Sequence, residues 1–219
     1  MRLYSYFRSS ASYRVRIALA LKGLSYEYAA VHLVKNEQLA ESFSALVPAQ
    51  LVPALVVGDE AGDAGAMVLT QSLAIIEYLD ETHPEPPLLP PDAAGRARVR
   101  ALALDIACEI HPLDNLRVLR YLVKDLGVSE DDKNRWYRHW VESGLEVVER
   151  QLAGHAATGR FCHGDVPGLA DCVLVPQIHN AKRMDCKLDP VPTVMRIFEA
   201  CMAEPAFATT QPSACPDAA

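Results

Sequence analysis

Five prolines fall within ten residues, at Pro84, Pro86, Pro87, Pro90 and Pro91. Each fixes φ and lacks a backbone donor, so this stretch can neither continue a helix nor fill a central strand. The chain must change architecture across it. Before it lie short alternating runs and three helical patterns; after it the spacing is helical throughout. At 219 residues the chain accommodates two modest domains. The expected organisation is residues 1–83, a linker over 84–92, and an all-helical domain over 93–219.

In the first part, Leu3-Tyr4-Ser5-Tyr6-Phe7 alternates and reads as a strand entering a turn. Arg8-Ser9-Ser10-Ala11-Ser12 then precedes a helical pattern that stops at Gly23. A second strand is expected over 24–31 and a weakly held helix over 35–46. An apolar strand follows Val52-Pro53, a pair whose isomer the sequence leaves open. The Gly/Asp/Ala tract from Gly58 to Gly65 reads as a hairpin loop, Met67 to Thr70 as a strand, and Ser72 as the cap of a helix carrying Ile75, Ile76 and Leu79. The order is β-α-β-α-β-β-α. Beyond the prolines, helices are expected over 94–124, interrupted at Pro112, and over 130–152, 169–182 and 190–202. The tail from Thr209 reads as loose.

The serine turn is the stretch with most chemical content. It gathers hydroxyls and unpaired backbone N–H groups at a helix start, which favours an anion or a thiolate. Simple helix capping is the plainer reading of the same residues. Gln71-Ser72 offers a second helix start that could face a ligand carboxylate. Val52-Pro53 offers main chain that could pair with a peptide-like ligand as an added strand. No cysteine lies in the serine turn, so a thiolate held there must arrive with a ligand.

Composition narrows the classes. Net charge is −7 with no basic cluster, which argues against nucleic acid and anionic membranes as partners. No apolar run is long enough to span a bilayer, and the chain opens on a strand pattern rather than a signal peptide; a cytoplasmic protein is expected. Cys108, Cys162, Cys172, Cys186, Cys201 and Cys215 form no C-x-x-C pair and read as reduced, mostly buried small hydrophobes. No metal site is expected.

Taken together, these stretches resemble the soluble glutathione transferases. Ser9-Ser10-Ala11-Ser12-Tyr13-Arg14-Val15-Arg16-Ile17-Ala18-Leu19 is similar to the signature of the zeta class, the maleylacetoacetate and maleylpyruvate isomerases. Gln71 to Leu79, His111 to Arg117 and Leu174 to Gln177 resemble further fragments of that class, and the likeness runs from Leu3 to about Phe207. It implies an α+β two-domain fold, thioredoxin-like and then all-helical, with glutathione as cofactor. Ser10 would hydrogen-bond the sulfur, with Ser9 and Ala11 beside it. Val52 would pair with the cysteinyl part ahead of a cis Pro53, with Gln50 nearby, and Gln71 and Ser72 would hold the γ-glutamyl end. His111, Asn115 and Arg117 would line the cleft, and Arg8, Arg117 and Arg183 would bind the carboxylates of a small dianionic substrate. Arg14 and Arg16 read instead as structural.

The resemblance further implies a homodimer and a cis–trans isomerase, of maleylacetoacetate or of maleylpyruvate. A transferase acting on α-haloacids and a non-catalytic glutathione binder are the other readings. Three features depart from the pattern. Ala11 stands where the zeta signature usually has a cysteine, which bacterial maleylpyruvate isomerases of the class also lack. The 58–65 loop is long, and Gly168 replaces the usual Ser or Thr cap three residues before Asp171.

Overall fold

The alternation at the N-terminus ends sooner than its pattern suggests. The computed structural model describes residues 1–58 and 66–218. Strand β1 spans Arg2–Ser5, and Tyr6 and Phe7 already belong to a turn in which the Ser9 N–H donates to the Tyr6 carbonyl at 2.9 Å. Helix α1 follows over Ser10–Leu21, then β2 over Glu27–Ala30. The weak helix expected over 35–46 resolves into two 3-10 turns, Leu33–Lys35 and Glu37–Leu39, and a short α2 over Glu41–Leu46. Strands β3 (Ala54–Val57) and β4 (Met67–Thr70) and helix α3 (Ser72–Thr82) complete the series. The expected loop lies outside the described residues except for Gly58.

The sheet order is β2-β1-β3-β4. β1 runs parallel to β2 and antiparallel to β3, which is antiparallel to β4. Tyr6, Phe7, Val31, Phe43, Val47, Val52 and Ala54 form one buried cluster. Ile17, Leu19, Ile75, Ile76 and Leu79 are buried on α1 and α3, which pack on each other.

The chain divides into two compact units, Met1–Leu88 with Glu204–Ala219, and Leu89–Ala203. The C-terminal segment thus joins the first unit rather than the helical one. Its short helix α10 (Pro205–Ala208) packs on α1, and the Tyr13 hydroxyl donates to the Phe207 carbonyl at 2.8 Å. The end of that segment is not loose. Arg16, only 1 % exposed, donates to the Thr210 carbonyl, to Ser5 Oγ and to the Phe7 carbonyl. Among the proline-rich residues, Lys22 Nζ binds the Asp80 carboxylate and the carbonyls of His83 and Pro86. One buried ammonium therefore holds the start of the linker in place.

The second unit is helical: α4 (Ala93–Leu104), α5 (His111–Asp114), α6 (Leu116–Lys124), α7 (Glu130–Leu152), α8 (Leu169–Arg183) and α9 (Pro192–Met202). The long helix expected over 94–124 is broken more than Pro112 alone would suggest. A π-helical turn occupies Asp105–Ile110, and Asn115, with extended backbone, ends α5 and caps α6. Pro112 has no N–H to return to the preceding turn, which explains the wider winding before it. The π turn lies close to α7 at Gly144, where a Cβ would collide with the Ile110 side chain. No helix among the described residues is long and apolar enough to cross a membrane.

Candidate active site

Strand register brings three chain segments of the first unit to one edge. Tyr4 pairs with Ala54, and Ala54 with Thr70. Because β3 runs opposite to both neighbours, the residues after β1, before β3 and after β4 all leave the sheet at the same end. Those residues are Phe7 to Ser10, Val52-Pro53 and Gln71-Ser72. The sheet therefore collects the serine turn, the Val-Pro pair and the second helix start, although more than 60 residues separate them in sequence.

Ser9 and Ser10 have different tasks. Ser9 is extended and caps α1, its Oγ accepting from the Ser12 N–H at 3.2 Å. The capping reading is therefore correct for Ser9. Ser10 is the first helical residue and is nearly buried. No acidic residue lies in the first turn of α1, so its positive end is not neutralised from within. Ala11 is partly exposed on the same turn, and Arg8 is exposed just before it, its guanidinium 4.9 Å from the Phe7 ring centre.

The Val52–Pro53 bond is cis, both residues are buried, and Gln50 before them has a left-handed backbone with φ 54°. Gln71 also has positive φ, 67°, and it rather than Ser72 occupies the cap position of α3. Its side chain makes no capping bond, and the first turn of α3 carries no acid. Arg14 NH1 donates to Ser72 Oγ at 3.3 Å, which ties α1 to the start of α3. Arg14 and Arg16 are both buried and hydrogen-bonded within the first unit.

In the second unit, Asn115 Oδ1 accepts from the Val118 N–H at 3.1 Å. Arg117 lies exposed on α6 and Arg183 exposed at the end of α8. His111 Nδ1 is 3.4 Å from Asp114 Oδ1, and Gln177 Nε2 donates to Asp114 Oδ2 at 2.7 Å. The buried Tyr137 phenol is pushed upward by burial first and then by Asp114, against the pull of Arg183. Asp114, Tyr137 and Gln177 form a buried polar group that the sequence reading missed. Their helical spacing looks like core, and only tertiary contact joins them.

Asp171 compensates for Gly168 at the start of α8. Its carboxylate accepts from the N–H groups of Gly168 and Cys162, each at 2.9 Å, while burial raises its pKa against these bonds. Cys162, Cys172 and Cys201 are buried, Cys186 and Cys215 are half-buried and Cys108 is exposed. Burial pushes the Cys186 thiol up to about 12.

Residues 3–87 match the glutathione S-transferase N-terminal domain. Maleylpyruvate isomerase of Ralstonia sp. is 49% identical over 219 residues, covering 100% of both chains. The chain belongs to the zeta-class glutathione transferases. The holo structure of a maleyl pyruvate isomerase, a bacterial protein of that class, covers 100% of both chains with a TM-score of 0.94 and 49% identity. A maleylacetoacetate isomerase of Methylobacterium extorquens, solved with malonate and glutathione, also gives a TM-score of 0.94 at 38% identity, covering 100% of both chains. The zeta-class fold is accordingly the one expected from the serine signature.

Proposed function

We propose that this zeta-class chain is a glutathione-dependent cis–trans isomerase whose substrate is maleylacetoacetate. The observation that carries the reading is the start of α1. It presents an acid-free helix N-terminus, a Ser9 cap and a nearly buried Ser10 at the sheet edge shared by Val52-Pro53 and Gln71-Ser72. Such a helix end stabilises a thiolate, and Ser10 is the residue to hydrogen-bond it. Val52 main chain would align the cysteinyl part of glutathione, with Gln50 and Ala11 beside it. Gln71 and Ser72 would hold the γ-glutamyl carboxylate at the start of α3. His111 and Asn115 are assigned to glutathione as well, from the family resemblance.

The thiolate adds to one carbon of the cis double bond, and the electron pair moves into the adjacent carbonyl as an enolate. The former double bond is now single and rotates. Return of the electron pair expels the thiolate and leaves the trans alkene, fumarylacetoacetate, with glutathione regenerated. Guanidinium groups stabilise the carboxylates and the developing enolate, and Arg8, Arg117 and Arg183 are assigned to this task.

Maleylpyruvate is the second substrate reading, favoured by full-length likeness to the Ralstonia enzyme. The test follows the ultraviolet absorbance of each cis substrate with and without glutathione. Glutathione-dependent loss of the cis signal supports the isomerase, and the faster substrate assigns the chain. No reaction with either, despite glutathione binding, rejects it in favour of an α-haloacid transferase or a binding role. A cytoplasmic homodimer is proposed on the same resemblance; light scattering that gives a monomer mass would reject the dimer.

A further inference from the structure

We propose that Asp217 is a positioning residue for the turn that carries Arg8, Ser9 and Ser10. The turn is closed by the Ser9 N–H bonding to the Tyr6 carbonyl, which leaves Phe7 and Arg8 at its two central positions. β1 has already ended at Ser5, so the peptide groups of Phe7 lie beyond that strand and need other partners. The C-terminal segment is involved with both. Asp217 Oδ2 accepts from the Phe7 N–H at 3.1 Å. Arg16 NH2 donates to the Phe7 carbonyl at 3.2 Å, while Arg16 Nε donates to the Thr210 carbonyl of that segment at 3.0 Å.

The Asp217 carboxylate is itself aimed. The Tyr28 hydroxyl, on β2, donates to Oδ1 at 2.6 Å. Cys215 and Ala218 pack against the aromatic cluster that contains Tyr6 and Phe7. The carboxylate therefore stands between a sheet hydroxyl and the first central peptide of the turn, 210 residues away in sequence. Arg8 is exposed and its guanidinium rests over the Phe7 ring, 4.9 Å from its centre, so its direction depends on how Phe7 is held. A charge-assisted bond to one peptide N–H holds that backbone more firmly than a neutral acceptor would.

The functional part of this proposal rests on the glutathione reading, and its structural part does not. The test compares wild type with Asp217→Ala, Asp217→Asn and Tyr28→Phe by amide hydrogen exchange of the 6–12 segment. The bound glutathione thiol is titrated alongside through its ultraviolet thiolate absorbance. Asp217→Ala is expected to speed exchange at Phe7 by about 10-fold, as for loss of one hydrogen bond, and to raise the apparent pKa of the bound thiol. Asp217→Asn, whose amide oxygen still accepts, is expected to restore most of both. Tyr28→Phe should fall between them. A tail that merely buries surface would lower melting temperature in the alanine variant but leave thiol ionisation unmoved, and that result overturns the proposal. Should Asp217→Ala fail to fold, the wild-type exchange decides: an unprotected Phe7 amide overturns it. If wild type shows no glutathione-dependent activity, the functional reading fails, while the exchange comparison still decides the role of Asp217.

Discussion

The two long helices of the first unit, α1 and α3, start with chemistry opposite to that of most helices in the second unit. In the second unit, α4 begins at Asp92, whose carboxylate accepts from the Gly95 N–H. α7 carries Glu130, Asp131 and Asp132 in its first turn. α8 is satisfied by Asp171, and α9 by Glu149, which reaches across from α7 to the N–H groups of Thr193 and Val194. In the first unit, α1 and α3 have no acid in their first turns, and their caps are Ser9 and Gln71. A carboxylate placed by the chain itself uses up the positive end of a helix; a neutral cap leaves it for an anion brought from outside. Among the helices of the second unit compared this way, α6 alone has neither an acid in its first turn nor a carboxylate on its starting N–H groups; its cap is Asn115, itself a candidate glutathione contact.

The comparison is tested most severely at Ser10. Ser10→Ala is expected to lower kcat by about 100-fold, the scale of losing one preorganised donor to a developing anion. Steady-state kinetics with saturating glutathione measures it, and an unchanged kcat removes Ser10 from its assigned role. Ala11→Asp gives α1 the acidic first turn of α8. It should stabilise the helix by about 0.3–1 kcal/mol while raising the pKa of the bound thiol. Thermal melting and thiol titration moving in opposite directions would carry the point.

In the second unit the same logic predicts loss of stability. Asp171→Ala orphans the N–H groups of Gly168 and Cys162, at about 1–3 kcal/mol for each buried group left unsatisfied. Urea unfolding checks this, and Asp171→Asn should lose less. The smallest effect is expected at Asp92. Its pKa is lowered chiefly by the Gly95 N–H. Its contribution is therefore complete above the ordinary carboxylate value near about 4 and is lost as pH falls through the lowered native value. The difference in urea midpoint between wild type and Asp92→Asn should shrink toward zero in that acidic window.

Local chemistry made much of this legible beforehand. Alternation marked the sheet, the prolines marked the change to helices, and α7 ends where its apolar stripe ends, at Leu152. Ser9, Ser10, Gln71 and Ser72 were recognisable because caps are local. What escaped was non-local. That Gln71 rather than Ser72 stands at the cap of α3 depends on a left-handed backbone that glutamine does not advertise. The π turn over Asp105–Ile110 accompanies close packing on Gly144 as well as Pro112. Docking of the C-terminal segment depends on Arg16, which reads in sequence as structural but without a partner, and on Asp217, which lies in a tail that reads as loose. Asp114 was hidden for the same reason, since Gln177 and Tyr137 reach it only across the helical unit.

The central claim is that the start of α1 holds a thiolate. Its most direct test is a pH titration of the thiolate absorbance of glutathione bound to the wild-type protein. The account predicts an apparent pKa clearly below the value of about 8.5 for a free thiol, moving back toward it in Ser10→Ala. Bound glutathione that titrates like the free thiol in both proteins would contradict it.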